Sequence, residues 1–316
     1  MIRLLLCALL LPVACVRAPR AVERTWTPPR VAGDALLLAI AFPAQEFGVA
    51  VGGTTERGPS VVLRTEDEGA TWNAIELDAS GRLYDVDFPS AARGFAVGFG
   101  IALRTDDEGR TWQSLALPAD RWLAAVDFVS KEKGFVVGGH GRDAVFWSTE
   151  DGGETWVDAV SRLPADARAA LRDVHFVDAS RGFVLGEQGL LCETLDAGAT
   201  WSRIDTQTDA WLRSITVDGE RAWIAASPGV LHSTDGARTW NALPTFATRK
   251  TTDVAFANER VGWVSSFDGT LFTTEDGGAS WSIALSIDGT PTTLASSEGW
   301  WCVASDTGIY RLRRDP

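Results

Sequence analysis

Long apolar runs are nearly missing from this chain of 316 residues. The one candidate, residues 4–14, is too short to span a ~30 Å hydrocarbon core at 1.5 Å per residue. Lysine is scarce: Lys131, Lys133 and Lys250 are the whole set, so arginine carries the positive charge. Bases are outnumbered by acids, 29 to 42, and a formal charge of -13 argues against general nucleic-acid binding, which calls for a basic face. The three histidines, His140, His175 and His232, are isolated; they offer no metal-ligand spacing and are expected at the surface or in turns. No Gly-rich loop follows a strand to open a helix, so no cofactor is implied, and residues 165–170 are the only readable helical stretch beyond a turn or two. At 45% hydrophobic and 22% charged, the balance is globular and excludes a disordered tail or a collagen.

The first segment reads as an address. A short basic start, Met1 to Arg3, precedes the apolar stretch, as in a secretory signal. Leu11-Pro12-Val13-Ala14-Cys15 resembles a bacterial lipobox, with Pro12 where Leu is usual. Residues 1–14 are therefore expected to be a lipoprotein-type signal, with Cys15 lipidated; ordinary cleavage is the alternative. Val16 is not the Asp that commonly retains lipoproteins at the inner membrane, so a periplasmic protein anchored in the outer membrane is favoured. Cys192 and Cys302 lie in apolar strand-like runs of non-adjacent repeat units and are expected to be buried free thiols.

What the chain has in excess is tryptophan, fourteen against two tyrosines and one methionine. A repeat explains it. Thr65-Glu66-Asp67-Glu68-Gly69-Ala70-Thr71-Trp72 recurs around Asp107, Asp151, Asp196, Asp235 and Asp276, at spacings of 40, 44, 45, 39 and 41 residues. This is the Asp-box, or BNR repeat; only Ala237 stands where its Gly belongs. The box is a turn: Asp accepts backbone N–H bonds, Gly permits positive φ, and Thr-Trp opens a strand whose indole packs between sheets. The six aspartates are accordingly expected to be structural.

Between boxes, an alternating run such as Leu83-Tyr84-Asp85-Val86-Asp87-Phe88 leads to Gly94-Phe95-Ala96-Val97-Gly98, a hairpin, and the next box strand. Four short strands per unit is one propeller blade. Six boxes plus two further strands after Trp281 and Thr25-Trp26 near the start predict an all-β, seven-bladed propeller whose last blade is closed by the N-terminal strand. The domain reading is residues 1–14 signal, 15–24 linker, and 25–316 a single propeller.

The phrases Arg93-Gly94-Phe95-Ala96-Val97-Gly98, Lys133-Gly134-Phe135-Val136-Val137-Gly138 and Arg181-Gly182-Phe183-Val184-Leu185-Gly186, each leading to a box, resemble the photosystem II assembly and stability factor family. The resemblance covers about residues 25–315. It implies a secreted or lipid-anchored propeller that binds or assembles, without enzymatic activity. Sialidases and some glucan hydrolases share the Asp-box, so a BNR-type glycoside hydrolase is the alternative. No Arg-Ile-Pro signature occurs, and Tyr84 and Tyr310 are the only tyrosines for a nucleophile.

One constellation stands out. Arg82, Arg121, Arg172, Arg213, Arg249 and Lys250 all fall at the start of the expected innermost strand in five successive blades, with Trp122 and Trp211 sharing a register there. The reading is a binding rim for a protein partner or an anionic ligand, through forked guanidinium contacts. The alternative is that these cations bridge to acids of neighbouring loops. No metal, no nucleic acid, and no membrane contact beyond the anchor is expected.

Overall fold

The computed structural model describes residues 22–26, 35–117, 121–167, 169–297 and 299–313. The signal and Cys15 lie outside the described residues. The 28 strands form seven antiparallel sheets of four. Blade 1 is Leu36–Ala41, Gly48–Gly53, Ser60–Thr65 and Asn73–Ile75; blade 2 is Leu83–Asp87, Gly94–Gly98, Ile101–Thr105 and Gln113–Ser114. Blade 3 is Leu123–Phe128, Gly134–His140, Asp143–Thr149 and Val157–Asp158; blade 4 is Leu171–Phe176, Gly182–Gly186, Leu191–Thr194 and Ser202–Arg203. Blade 5 is Trp211–Asp218, Arg221–Ser227, Val230–Ser233 and Asn241–Ala242; blade 6 is Thr251–Phe256, Gly262–Ser266, Thr270–Thr274 and Ser282–Ser286. Blade 7 takes Pro291–Ser297, Trp300–Ser305 and Gly308–Arg313 from the C-terminal end and Val22–Trp26 as its outermost strand.

Each first strand packs on the first strands of both neighbours, and that of blade 7 packs on that of blade 1, so the ring closes. Closure is made by Val22↔Leu312, Glu23↔Arg311, Arg24↔Tyr310 and Trp26↔Ile309. Because pairing begins at Val22, the last three residues read as linker, 22–24, are strand. The described residues of 165–170 form no helix: Ala165 and Asp166 make a turn, and Arg168 is outside the described set. Six residues cannot offset the nucleation penalty of an isolated helix. The helical turns described are two 3₁₀ turns, Val160–Arg162 and Pro244–Phe246.

The interfaces between blades explain the tryptophans and the Gly-Phe phrases together. At the boundary of blades 3 and 4, Phe135 stacks on Phe176 at 5.1 Å, and the box indole Trp201 meets both edge-on at 6.3 and 5.9 Å. The same triad recurs as Phe95, Phe128 and Trp156, and at blades 5 and 6 Trp223 stacks on Phe256, which Trp281 meets edge-on. Such pairs add about 0.5–1.5 kcal/mol each beyond area burial. The innermost Phe also lies against the first Gly of its own second strand. A Cβ on Gly94, Gly134, Gly182 or Gly262 would sit 2.5–2.6 Å from the ring of Phe88, Phe128, Phe176 or Phe256. Cys192 and Cys302 are buried and free, and burial pushes both thiols up to about 12.

Candidate functional site at the channel mouth

The two ends of the ring differ. At the box end, Asp67 accepts from Thr71 N (2.8 Å), Thr65 Oγ1 (2.8 Å) and Thr71 Oγ1 (2.7 Å), while Thr65 Oγ1 accepts from Gly69 N at 2.9 Å. The other five boxes repeat this pattern at Asp107, Asp151, Asp196, Asp235 and Asp276. These bonds lower the carboxyls, Asp151 and Asp196 to about 2, chiefly through the side-chain bonds to Thr155 and Thr200. Ala237 replaces Gly with φ 64° and packs in the cluster that contains Phe183. Arginines fasten four of the boxes to a neighbouring blade: Arg64 donates to Glu108 O, Arg93 to Gly152 O, Arg181 to Gly236 O, and Arg311 pairs with Glu68 across the ring closure. These arginines hold the ring together rather than a ligand.

At the other end, every first strand carries a β-bulge at the same place, seen as register breaks between Leu37/Ala39, Leu83/Asp85, Leu123/Ala125, Leu171/Asp173, Leu212/Ser214, Thr251/Asp253 and Pro291/Thr293. A bulge leaves one residue unpaired and re-aims its side chain. It also brings a carbonyl close to the second strand. A Cβ on Gly98 or Gly138 would lie 2.0 Å from Arg82 O or Trp122 O, which accounts for the closing Gly of the Gly-Phe phrases.

The bulged residues are Leu38, Tyr84, Ala124, Arg172, Arg213, Thr252 and Thr292, and two positions earlier come Leu36, Arg82, Trp122, Ala170, Trp211, Lys250 and Thr290. The structure therefore spreads the rim cations over three depths: Arg172 and Arg213 at the bulge, Arg82 and Lys250 outside it, Arg121 and Arg249 outermost. Trp122 and Trp211 do share a register. The basic and aromatic residues occupy an arc over blades 2 to 6 rather than a full ring.

Within that arc the side chains link across four blade boundaries. Tyr84 meets Trp122 edge-on at 5.5 Å. The Arg172 guanidinium lies 3.8 Å from the Trp122 ring centre and 5.1 Å from that of Trp211, and pairs with Glu187. Arg213 lies 4.8 Å from Phe267, with Trp211 and Phe267 exposed by 45% and 39%. Exposed Arg121 pairs with Asp143, and part-buried Arg249, 4.8 Å from the Phe272 ring centre, pairs with Asp268 (2.9 Å), so these two fit the alternative of bridging to loop acids. Arg82 donates to Thr54 O at 2.9 Å, and Lys250 is exposed.

Charge at the bulge is underpartnered. Burial lowers the Arg172 guanidinium, offset by Glu187; burial lowers Arg213 too, and Arg172 adds repulsion. Burial raises the Tyr84 phenol against the pull of Arg82. Arg82 Nε, Arg172 Nε, Arg213 Nε and Trp122 Nε1 are buried N–H donors with no hydrogen-bond partner among the described residues. The same holds for interface indoles such as Trp156, Trp201, Trp223 and Trp301, so unpartnered N–H groups are not peculiar to the mouth.

Beneath the mouth lies a tier the sequence reading missed. Asp85 accepts from Val126 N (2.8 Å), Asp87 from Phe128 N (2.9 Å), Asp127 from Phe176 N (2.5 Å), Asp173 from Ile215 N (3.2 Å) and Asp253 from Leu294 N (2.8 Å). Each carboxylate thus staples its blade to a free edge N–H of the next. The available signal was an aspartate inside an otherwise apolar strand run. The histidines also differ from expectation. His175 lies within the first strand of blade 4, where burial lowers it, and His232 stacks on Trp223 at 5.2 Å. Only His140 is exposed, at a strand end.

With this geometry in place, known proteins can be compared. The sequence profile of the family described as Photosynthesis system II assembly factor YCF48 matches residues 18–120 and 158–249. The Photosystem II assembly lipoprotein Ycf48 of Synechococcus sp. (strain CC9902) is 31% identical over 165 residues, 49% of each chain, so the chain spans about half the length of that relative. The chloroplastic Photosystem II stability/assembly factor HCF136 of Arabidopsis thaliana is 28% identical over 135 residues, 39% of this chain and 33% of its own. Among solved structures, that of YCF48 bound to D1 peptide superposes with a TM-score of 0.72 at 19% identity, over 93% of this chain and 97% of that one. At that identity the likeness is one of fold.

Proposed function

The chain belongs to the Photosynthesis system II assembly factor YCF48 family, and we propose that it is a non-enzymatic propeller holding a segment of a partner protein across the arc of Arg82, Trp122, Arg172, Trp211 and Arg213. The observation that carries this is the run of stacked cationic and aromatic groups, Trp122–Arg172–Trp211 and Arg213–Phe267, in which Trp211 and Phe267 are exposed. Guanidinium N–H groups beside indole faces take a carboxylate or backbone carbonyl and an apolar side chain at once. The superposing YCF48, a propeller of the same fold with a D1 peptide bound, supports peptide capture as the mode. Arg121, Arg249 and Lys250 form the outer, salt-sensitive edge. A glycoside hydrolase would need two carboxyls flanking an open cleft; the acids found facing one another are engaged in interblade bonds.

The setting proposed is extracytoplasmic, with the chain anchored through lipid on Cys15 and, from Val16, in the outer membrane. Support comes from the Leu11-to-Cys15 run and from the Synechococcus relative, which is named as a lipoprotein.

The test uses a ten-residue poly-aspartate peptide and the indole fluorescence of the rim. Wild type should bind with an affinity that falls as salt rises. Arg172→Glu and Arg213→Glu should each abolish the signal, while Arg110→Glu on the box end should leave it unchanged. Equal binding by all of them refutes the rim.

A further inference from the structure

The two arginines at the bulge are placed alike but partnered differently. Each follows the leucine, Leu171 or Leu212, at which the register breaks. In blade 4 the pairing of Leu171 with Gly186 puts Glu187 next, and its N–H donates to Ala170 O at 3.0 Å. The Glu187 carboxylate pairs with Arg172, and both side chains are enclosed, exposed by only 11% and 16%. The matching place in blade 5 is held by Ser227, which pairs with Trp211. On its far side Arg213 meets the ring of Phe267, the matching residue of blade 6, whose N–H donates to Lys250 O at 2.9 Å. Serine and phenylalanine bring no charge. Beyond burial, the charge that acts on Arg213 is the repulsion of Arg172, and its Nε has no acceptor among the described residues.

We propose that Glu187 sets the specificity of the mouth: it occupies Arg172 and leaves Arg213 as the bulge guanidinium open to a ligand, so the arc takes a segment with one acidic residue beside an apolar one and gains nothing from a second, adjacent acid. The proposal rests on the rim reading above.

At the bulge the enclosed pair and Arg213 carry two positive charges and one negative, so one ligand carboxylate brings balance. A second carboxylate on the next ligand residue, its Cα about 3.8 Å away, finds Arg172 already paired and the Glu187 charge beside it. It loses water without gaining a partner. The other cations do not replace Arg172. Arg121 and Arg249 are paired with Asp143 and Asp268, Arg82 lies three blades from Arg213 and donates to Thr54 O, and Lys250 is in solvent, where an ion pair is weak. Trp211, two residues before Arg213, and Phe267 are exposed rings that supply the apolar contact.

The experiment uses two end-blocked nine-residue peptides of glycine and serine, one carrying Leu-Asp and the other Leu-Asp-Asp, with indole fluorescence as the signal. Wild type should bind the two within about twofold of each other. Glu187→Gln keeps an acceptor oxygen for Arg172 but frees its charge, so it should bind the two-acid peptide about tenfold tighter than the one-acid peptide. A ratio of two affinities is unaffected by partial loss of folded protein. Phe267→Glu sets a carboxylate beside Arg213 as Glu187 stands beside Arg172, and should weaken the one-acid peptide by about tenfold or more, while Phe267→Gln should weaken it less. If the poly-aspartate decapeptide binds but wild type takes neither short peptide, prefers two acids about tenfold, or shows the same ratio as Glu187→Gln, the inference is overturned and the rim stands. Phe267→Glu binding no weaker than Phe267→Gln also overturns it. No binding of any of the three peptides overturns the rim reading and this inference with it.

Discussion

Gly182→Ala tests the packing logic of the ring with one methyl group. Backbone strain is not the issue, because Gly182 is in ordinary extended strand conformation. The added Cβ would lie 2.6 Å from Phe176 Cδ1 and 2.7 Å from Cε1, well inside van der Waals contact. Phe176 cannot simply retreat, since its ring stacks on Phe135 at 5.1 Å and meets Trp201 at 5.9 Å. Overpacking of this kind costs about 1–3 kcal/mol, partly offset by the about 0.4–1 kcal/mol that Gly→Ala yields through the unfolded chain. A net loss of about 1–2 kcal/mol should lower the melting temperature by about 2–6 °C. A thermal-melt double-mutant cycle with Phe176→Leu checks the cause, because a smaller side chain should absorb the methyl and reduce the loss. A Gly182→Ala protein that melts like wild type, or an equal loss in the Phe176→Leu background, refutes the argument.

The box carboxyls are held low by their turn hydrogen bonds. Lowered to about 2 at Asp151 and Asp196, they contribute stability that is complete above the ordinary carboxyl value and lost as pH falls through it. Chemical denaturation should therefore show stability dropping below about pH 4, and Asp196→Ala should flatten that limb while lowering stability at neutral pH. Cys192 and Cys302 should resist a thiol-specific disulfide reagent in the native protein at pH 8 and react at once in denaturant, because burial pushes both to about 12. Removing residues 22–26 exposes the Gly308–Arg313 edge; the truncated chain should melt lower and self-associate on a sizing column.

The fold was readable because its rules are local and repeated. Asp-Gly spacing marks the turn, Thr-Trp marks the indole that fills each interface, and a missing half-blade at one end matches Thr25-Trp26 at the other. The rim was readable only in outline. Trp122 and Trp211 share a register that counting back from Phe128 and Val217 can find. Depth could not be counted, since a bulge shifts one residue without any mark in composition; Arg172 and Arg121 look alike in the sequence although one is enclosed and the other is in solvent. Glu187 and Phe267 follow their second strands directly and reach the rim through pairing with Ala170 and Lys250, a relation that exists only once the sheet is formed.

The bulge divides each blade into constrained and free positions. The interface triad needs an aromatic at the end of the first strand, a glycine facing it and the box indole, and the bulge carbonyl needs a second glycine or a small residue opposite. None of these can change without disturbing a neighbour. The bulged residue and the one two before it pack against neither sheet face in this way, so they carry Leu in blade 1, Arg or Tyr in blade 2, Trp in blade 3, Arg in blade 4 and Thr in blade 7. Seven such pairs, fixed in space by a common scaffold and free in chemistry, define a recognition surface that can be read out position by position. Here the charged and aromatic members fall in blades 2 to 6, while Leu36, Leu38, Thr290 and Thr292 leave blades 7 and 1 uncharged. A segment held by guanidinium and indole contacts must therefore cross the mouth off-centre, along the arc from Arg82 to Phe267. Substituting Leu36 or Thr292 should leave its binding untouched even though both sit at the same depth as the residues that hold it.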